Sequence, residues 1–401
     1  MFKNVILGVC GGIAAYKAAY LASGLVKLNA QVQVIMTENA CNFINPITFE
    51  ALTSQKCITS TFDRNHDFKV EHISLAKKAE VCIIAPATAN IIGKLANGIA
   101  DDMLTTTVLA CKCPVIIAPA MNTNMYRNPI VSANIKRLES YGFKIISPAG
   151  GRLACGDSGI GKLPEPEFLL EHIVYEAGFK KDLSGKRVLV TAGPTKEAID
   201  PVRFISNHST GRMGIELARA ASQRGAEVTL VLGSTDLKPP IKVRCIRAVS
   251  ALDMFNAVKA EYESQDIIIK AAAVADYRPK QAAAEKIKKT EGNNQNKLEI
   301  ELEKTDDILA FLGEHKKQNQ FLCGFSMETQ NVIENSRKKL YRKKLDMIAA
   351  NSLKEAGAGF AGDTNIITLI TPSYEKKLEL MTKQEAAHKL LDEILDCKNL
   401  L

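Results

Sequence analysis

The chain has 401 residues, 46% of them hydrophobic, which is enough for two cores of ordinary domain size and argues against a single oversized one. No apolar run approaches the roughly 20 residues that cross a bilayer, and the opening MFKNVILGVCGGIAAY has a glycine turn where a secretory leader would be apolar. A cytoplasmic protein with no membrane partner is expected. The formal net charge of +8 goes with lysine clusters in the second half, which are as often solvated helix faces as binding sites; zinc-finger spacing, an RNP-type aromatic motif and Trp are all lacking, so where they bind a ligand a polyanionic small molecule is expected in place of nucleic acid.

Along the first half, the runs 5–9, 31–36, 81–85, 114–118 and 144–146 read as strands, several of them continuously apolar as a buried parallel sheet requires. Helical periodicity fills the gaps, which predicts an α/β, doubly wound, Rossmann-like domain over residues 1–180. The polar, charged stretch 178–187 reads as a linker. A second series at 187–191, 227–232, 242–246, 266–270, 321–323 and 347–350 predicts another doubly wound domain over residues 181–401. Strands at 298–302 and 366–370 are added without an assigned direction. The Lys-, Asn- and Gln-rich segment from Lys280 to Lys297 is expected to be flexible. Ten cysteines are scattered with one CxC and no CxxC, so most are expected to be buried reduced thiols.

Four stretches of the first half carry chemistry. Gly8-Val9-Cys10-Gly11-Gly12-Ile13 follows a strand and opens a helix, where glycines let backbone N–H groups approach a phosphate at the positive helix end. Taken alone, such a turn is as often purely structural. APATAN (85–90) and APAMNTNMY (118–126) are polar loops that follow strands directly, at the edge where doubly wound folds bind ligands. GGRLACGDSGIG (150–161) places a cysteine in a glycine-rich stretch that reads as a mobile flap.

GGIAAYK, APATAN, PAMNTNMY and ACGDSGIGKL together resemble the flavin-containing cysteine decarboxylase family, which includes phosphopantothenoylcysteine decarboxylases. The resemblance implies a flavodoxin-like domain holding FMN, with cofactor contacts at Gly11, Gly12, Ile13, Thr37, Thr88 and Asn90. It implies His72 as the active-site histidine, Asn122 as the binder of the substrate carboxylate, and Cys155 as the proton donor of the final reduction. The implied reaction oxidises the substrate cysteine to a thioaldehyde, expels carbon dioxide and reduces the resulting enethiol. Cys10 stands where many relatives have Ser or Thr near the flavin phosphate, so a hydroxyl hydrogen bond is given up there.

In the second half, TAGPT (191–195) also follows a strand, but a long loop through residues 200–211 precedes the helix at Arg212. A dinucleotide fold would turn within a few residues, and the Walker pattern is absent. AAAVADY (271–277) ends a strand with small residues and then an acid, and Lys339 and Lys343 share a helical face. That pair suits a triphosphate and suits a solvated helix equally well. TAGPTKEAIDPVRFISNHSTGRMG, AAVADYRP and EKIKK resemble phosphopantothenate–cysteine ligases, and the two halves together resemble the bifunctional enzymes of bacterial coenzyme A biosynthesis over nearly the whole chain.

This second resemblance implies that CTP, with Mg2+, activates the carboxylate of 4'-phosphopantothenate as an acyl-cytidylate, which the amine of cysteine then attacks. Nucleotide contacts are implied at Asp276, Lys286, Thr305, Asp306, Asp307, Ile308, Phe325, Lys339 and Lys343, and the acyl-nucleotide step at Arg203, Asn207 and Lys286. Asp306 departs from the proline usual in relatives and adds a charge near the phosphates. A homo-oligomer is implied, with a trimeric decarboxylase part and a dimeric ligase part, as in a dodecamer. Two other readings stay open: a flavin enzyme that decarboxylates peptide C-terminal cysteines, and a non-enzymatic flavoprotein that binds nucleic acid or a regulatory partner through its basic half.

Overall fold

The computed structural model describes residues 3–62, 70–152, 156, 158–288, 298–328, 330–352 and 362–399. Two compact units divide the chain, Met1–Lys180 and Lys181–Leu401. Among the described residues no helix is long and apolar enough to cross a membrane.

The first unit runs β1 (Asn4–Val9), α1 (Ala15–Lys27), β2 (Gln31–Met36), α2 (Pro46–Thr53), α3 (Glu71–Lys78), β3 (Val81–Ala87), α4 (Ala89–Ala96), α5 (Met103–Ala110), β4 (Val115–Pro119), α6 (Thr123–Arg127), α7 (Pro129–Ser140), β5 (Lys144–Ile145), β6 (Ala149–Arg152), β7 (Ser158–Lys162) and α8 (Pro166–Ala177). Its parallel sheet has the order β2-β1-β3-β4-β5. Alternation within each strand feeds two cores: Val5, Leu7 and Val9 pack with Leu21 and Ile173 on one face, while Ile6 packs with Ile91 and Leu104 on the other. Local chemistry starts the helices. Asn45 and Asn128 cap α2 and α7 ahead of Pro46 and Pro129, and Asp102 closes a capping box on α5.

The second unit runs β8 (Arg187–Ala192), β9 (Lys196–Ala198), β10 (Phe204–Ser206), α9 (Arg212–Gln223), β11 (Glu227–Leu232), β12 (Val243–Arg247), α10 (Ala251–Glu261), β13 (Ile267–Lys270), β14 (Tyr277–Pro279), β15 (Leu302–Lys304), α11 (Ile308–His315), β16 (Phe321–Glu328), α12 (Val332–Arg342), β17 (Met347–Ser352), β18 (Thr364–Asn365), β19 (Ile367–Ile370), β20 (Glu375–Lys377), β21 (Met381–Thr382) and α13 (Lys383–Asn399). Its main sheet has the order β12-β11-β8-β13-β16-β17-β19-β20, parallel as far as β17 and antiparallel beyond. The chain reverses its direction of travel across the sheet between β8 and β13, so the ligand crevice of such a fold belongs at their carboxyl ends.

Two expectations change, and one left without a direction is completed. The strand expected at 298–302 is not formed; the chain pairs only from Leu302 to Lys304, with β14, and Leu298 is left exposed because no sheet edge receives it. The strand near 366–370 is antiparallel, since a tight turn joins it to β20. The nine described cysteines are all free thiols, but only four are buried and five are partly exposed. The expected flap is a β6–β7 hairpin. Of the segment expected to be flexible, residues 289–297 lie outside the described residues.

Candidate active sites

A cavity of about 700 Å³ opens at the carboxyl ends of β1, β3 and β4. Gly11, Gly12, Ile13, Thr88, Met121 and Asn122 are among its lining residues. The two glycines have different jobs. A Cβ on Gly11 would stand 2.6 Å from Asn39 Cβ and 2.8 Å from its carbonyl carbon, whereas a Cβ on Gly12 would find only Thr88 Cγ2, at 4.0 Å. Gly11 therefore allows the turn to lie against the chain after β2, and Gly12 leaves backbone open toward the cavity. No side chain caps α1, whose first turn adjoins this opening. Asn122 is held on the wall by capping α6, its Oδ1 accepting from Asn124 N–H at 2.8 Å.

The β6–β7 hairpin closes against the same wall. Met121 N–H donates to Gly161 O at 3.0 Å, and Gly161 has a φ of +152°. A side chain at 159 would collide with Thr123 and one at 161 with Met121 O, which explains the glycine spacing of SGIGK. Volume, largely apolar lining and an open glycine turn at a helix start fit a flavin with its phosphate at the turn. Cys10 does not line the cavity. It is buried beneath it, and burial pushes its thiol up to about 12.

The second cavity, about 270 Å³, opens beyond β13 and is lined by Lys270, Asp276, Thr305, Asp306, Asp307, Ile308, Lys339 and Lys343 among others. Thr305 ties its wall together, donating from Oγ1 to Ala275 O at 2.6 Å and from N–H to Asp276 O at 3.0 Å. Asp307 caps α11 by accepting from Ala310 N–H at 3.0 Å and pairs with Lys343 Nζ at 2.6 Å. Burial opposes ionisation of Asp307, yet the Lys343 bond keeps its carboxyl below the usual range. Lys339 is pushed down by burial and by neighbouring Lys343.

Here the glycines serve packing. A Cβ on Gly193 would lie 3.3 Å from Gly233 backbone, one on Gly211 would lie 2.9 Å from Gly193 Cα, and one on Gly214 would lie 2.5 Å from Ala192 Cβ. Beside this packed turn, Asn207 Nδ2 donates to Ala273 O at 3.0 Å. Buried Asp200 organises the long loop: it accepts from Val202 N–H at 2.8 Å, Arg203 N–H at 2.7 Å and Arg203 Nε at 2.9 Å. It also accepts from Ile287 N–H at 3.2 Å, while Arg203 Nη2 donates to Ile287 O at 3.0 Å. The Arg203 guanidinium holds the Asp200 carboxyl far below its usual range, against the opposing effect of burial. Exposed Lys286 is thereby carried on a segment strapped to Arg203.

Residues 2–178 match the family model "Flavoprotein", and residues 183–397 match "DNA/pantothenate metabolism flavoprotein C-terminal domain". The coenzyme A biosynthesis bifunctional protein CoaBC of Bacillus subtilis (strain 168) is 49% identical over 398 residues, covering 98% of this chain and 96% of the relative. The chain belongs to the CoaBC family. The CoaBC protein of Vibrio cholerae is 46% identical over 390 residues, with 97% of each chain covered, and that of Escherichia coli (strain K12) is 41% identical over 393 residues, with 98% and 97% covered.

In this CoaBC chain the first cavity gathers Gly11, Gly12, Ile13, Thr88 and Asn122, but not Thr37, Asn90 or His72. Thr37 precedes a short 3-10 helix after β2, Asn90 is exposed on α4, and His72 is half-buried on α3. Cys155 lies outside the described residues. The second cavity gathers Asp276, Thr305, Asp306, Asp307, Ile308, Lys339 and Lys343. Lys286 is not among its lining residues, and Phe325 packs against the core on the opposite face of the sheet. Two residues escaped the sequence reading. Lys270 ends an apolar strand and gave only the signal of a charge after three isoleucines, and Asp200, four residues after Lys196 in a loop, gave none.

Proposed function

We propose that the unit 1–180 is an FMN-dependent phosphopantothenoylcysteine decarboxylase and the unit 181–401 a CTP-dependent phosphopantothenate–cysteine ligase, working in sequence in the cytoplasm to turn 4'-phosphopantothenate and cysteine into 4'-phosphopantetheine. The observation that carries this reading is the pair of unlike cavities. One is apolar with an open glycine turn; the other is walled by lysines and carboxylates.

In the first, Gly11, Gly12, Ile13 and Thr88 hold FMN; Thr37 and Asn90, which do not line the cavity, are added on the family resemblance alone. Bound flavin supplies two-electron oxidation of the carbon bearing sulfur and, after decarboxylation, returns the electrons. Asn122 binds the substrate carboxylate, and Cys155 delivers the proton of the last step. His72, on α3, acts in the cavity of a neighbouring subunit of a trimer. In the second, Asp276, Thr305, Asp307, Lys339 and Lys343 receive the nucleotide, whose Mg2+ arrives on the phosphates. Arg203 and Asn207, with Lys286 on its strap, hold the acyl-cytidylate while the cysteine amine attacks and CMP leaves.

The test is to incubate the pure protein with phosphopantothenate, cysteine, Mg2+ and each nucleoside triphosphate, and to follow products by mass. CTP should release pyrophosphate and CMP and yield 4'-phosphopantetheine, and removal of flavin should stop the sequence at phosphopantothenoylcysteine. Absence of CTP-dependent pyrophosphate release would refute the ligase assignment.

A further inference from the structure

The hairpin beside the first cavity brings two cations to it. In the register of β6 and β7, Arg152 stands opposite Ser158, and Ser158, Ile160 and Lys162 alternate on one face, while Gly159 and Gly161 lie against Thr123 and Met121 on the other. Arg152 and Lys162 both line the cavity. Their places are four residues apart along β7, about 13 Å, so a group seated between them can be met by a long side chain from each side.

The third cation of the lining, Lys17, is already engaged. Its buried Nζ donates to Glu165 Oε1 at 2.8 Å and to Leu163 O at 3.0 Å. Lys162 Nζ stands 3.7 Å from the same carboxylate oxygen, beyond hydrogen-bond length, and its side chain is 44% exposed against 6% for Lys17. Among the described residues no carboxylate lines the cavity, and none lies within ion-pairing distance of Arg152. With Glu165 set against Lys17, Lys162 and Arg152 leave the wall two positive charges in excess. On the reading above, the open turn at Gly12 serves the flavin phosphate and Asn122 the substrate carboxylate, so a further dianion is called for. A phosphate monoester carries nearly that charge at pH 7.

We propose that Arg152 and Lys162 are the specificity residues of the decarboxylase site: they grip the 4'-phosphate at the far end of the substrate, and so select a phosphorylated acyl-cysteine over a peptide that ends in cysteine. This rests on the decarboxylase reading above and deepens it. A peptide offers the same thiol, carboxylate and amide but no dianion at its far end. It would cover the hairpin face while leaving both cations without a counter-charge, and discrimination of this kind is large because unpaired charge is costly to shield from water. The guanidinium and the ammonium group are also unlike: the first can hold two phosphate oxygens at once, the second acts as a point charge.

The experiment is decarboxylation, by the full flavin-loaded chain, of phosphopantothenoylcysteine, of pantothenoylcysteine and of a peptide with a C-terminal cysteine, with products followed by mass. The wild type should favour the phosphorylated compound by at least about 100-fold in kcat/KM. Lys162→Met and Arg152→Met should each raise its KM about 10- to 100-fold, with kcat changed less than about threefold. For pantothenoylcysteine the same substitutions should cost less than about threefold, a dependence on the phosphate that damage to the hairpin would not produce. Lys162→Arg should keep the preference. Titration with FMN should give each variant wild-type affinity; a loss of FMN affinity matching the rise in KM would assign the two cations to the flavin phosphate and overturn the proposal. Equal turnover of the phosphorylated and unphosphorylated compounds by the wild type also overturns it, even if the variants fail to fold, and so does turnover of the peptide as fast as the phosphorylated compound. Turnover of none of the three by the wild type defeats the decarboxylase reading itself, which separates the two failures.

Discussion

Gly12→Ala should separate cofactor binding from folding in the first unit, with Gly11→Ala as its counterpart. At Gly11 the new methyl would stand 2.6, 2.8 and 2.9 Å from Cβ, C and O of Asn39, and two of those atoms are backbone that cannot swing aside. Overpacking of this kind costs about 1–3 kcal/mol. For a unit of this size each kcal/mol moves Tm by about 2–4 °C, so a fall of about 2–12 °C is expected in the flavin-free protein. At Gly12 the nearest atom is 4.0 Å away, and the residue is not among the positive-φ glycines. Alanine there should leave Tm unchanged or raise it through about 0.4–1 kcal/mol of reduced unfolded-state entropy. Its methyl, however, fills the space through which the turn meets the cofactor. FMN affinity should fall at least about tenfold, equivalent to ~1.4 kcal/mol. Thermal melts of flavin-stripped protein and equilibrium titration with FMN measure the two effects. A Gly12→Ala protein with wild-type FMN affinity, or one that melts as low as Gly11→Ala, would refute the division of labour.

Cys155→Ser should stay yellow and still release carbon dioxide but stop at the enethiol, detectable by mass; normal yield of 4'-phosphopantetheine would remove Cys155 from the final reduction. Asp200→Asn loses the charge that holds both Arg203 and the Ile287 strap, so ligation should slow at least about tenfold. Decarboxylation of added phosphopantothenoylcysteine should be unaffected, and equal losses in both reactions would count against the strap. Because the Asp200 carboxyl is depressed in the fold, its contribution is present above the unfolded value of about 3.9 and is lost only as pH falls below that. Arg224→Met leaves Asp182 and Asp392 without the guanidinium that bonds them at 2.8 and 2.7 Å. Since both acids are partly exposed, a loss of about 1–3 kcal/mol is expected from urea denaturation, and an unchanged midpoint would show that solvent replaces the pair fully.

The parallel sheets were legible because their strands are buried on both faces and therefore read as apolar runs: Glu227–Leu232 and Gln31–Met36 match the expected bounds residue for residue. Short pairings were not. β9, β10, β14 and β15 have three residues each, too few for a period of two to stand out, and they depend on hydrogen bonds to distant segments. The same limit applies to site residues. Lys339 and Lys343 lie four apart on one helical face, and Thr305, Asp306 and Asp307 are consecutive, whereas Asp200 and Ile287 meet across a long loop and no local pattern announces it.

The two glycine turns show why motif and role must be separated. GVCGG and TAGPT look alike as strand-to-helix turns, yet only the first keeps a glycine face open, at Gly12. In the second the glycines are spent on backbone contact among Gly193, Gly211 and Gly233, and polar recognition is moved to side chains lying farther along the chain, at 270, 305–307, 339 and 343. A flat apolar ring with a single phosphate needs exposed backbone and little charge, so an open turn serves it. A triphosphate needs several cations held apart from one another, which a turn of glycines cannot provide but the ends of β13, α11 and α12 can. On the proposed function, the difference in construction follows from the difference in charge between the two proposed ligands, and it predicts that alanine at Gly193 harms the fold of the second unit before it harms nucleotide affinity.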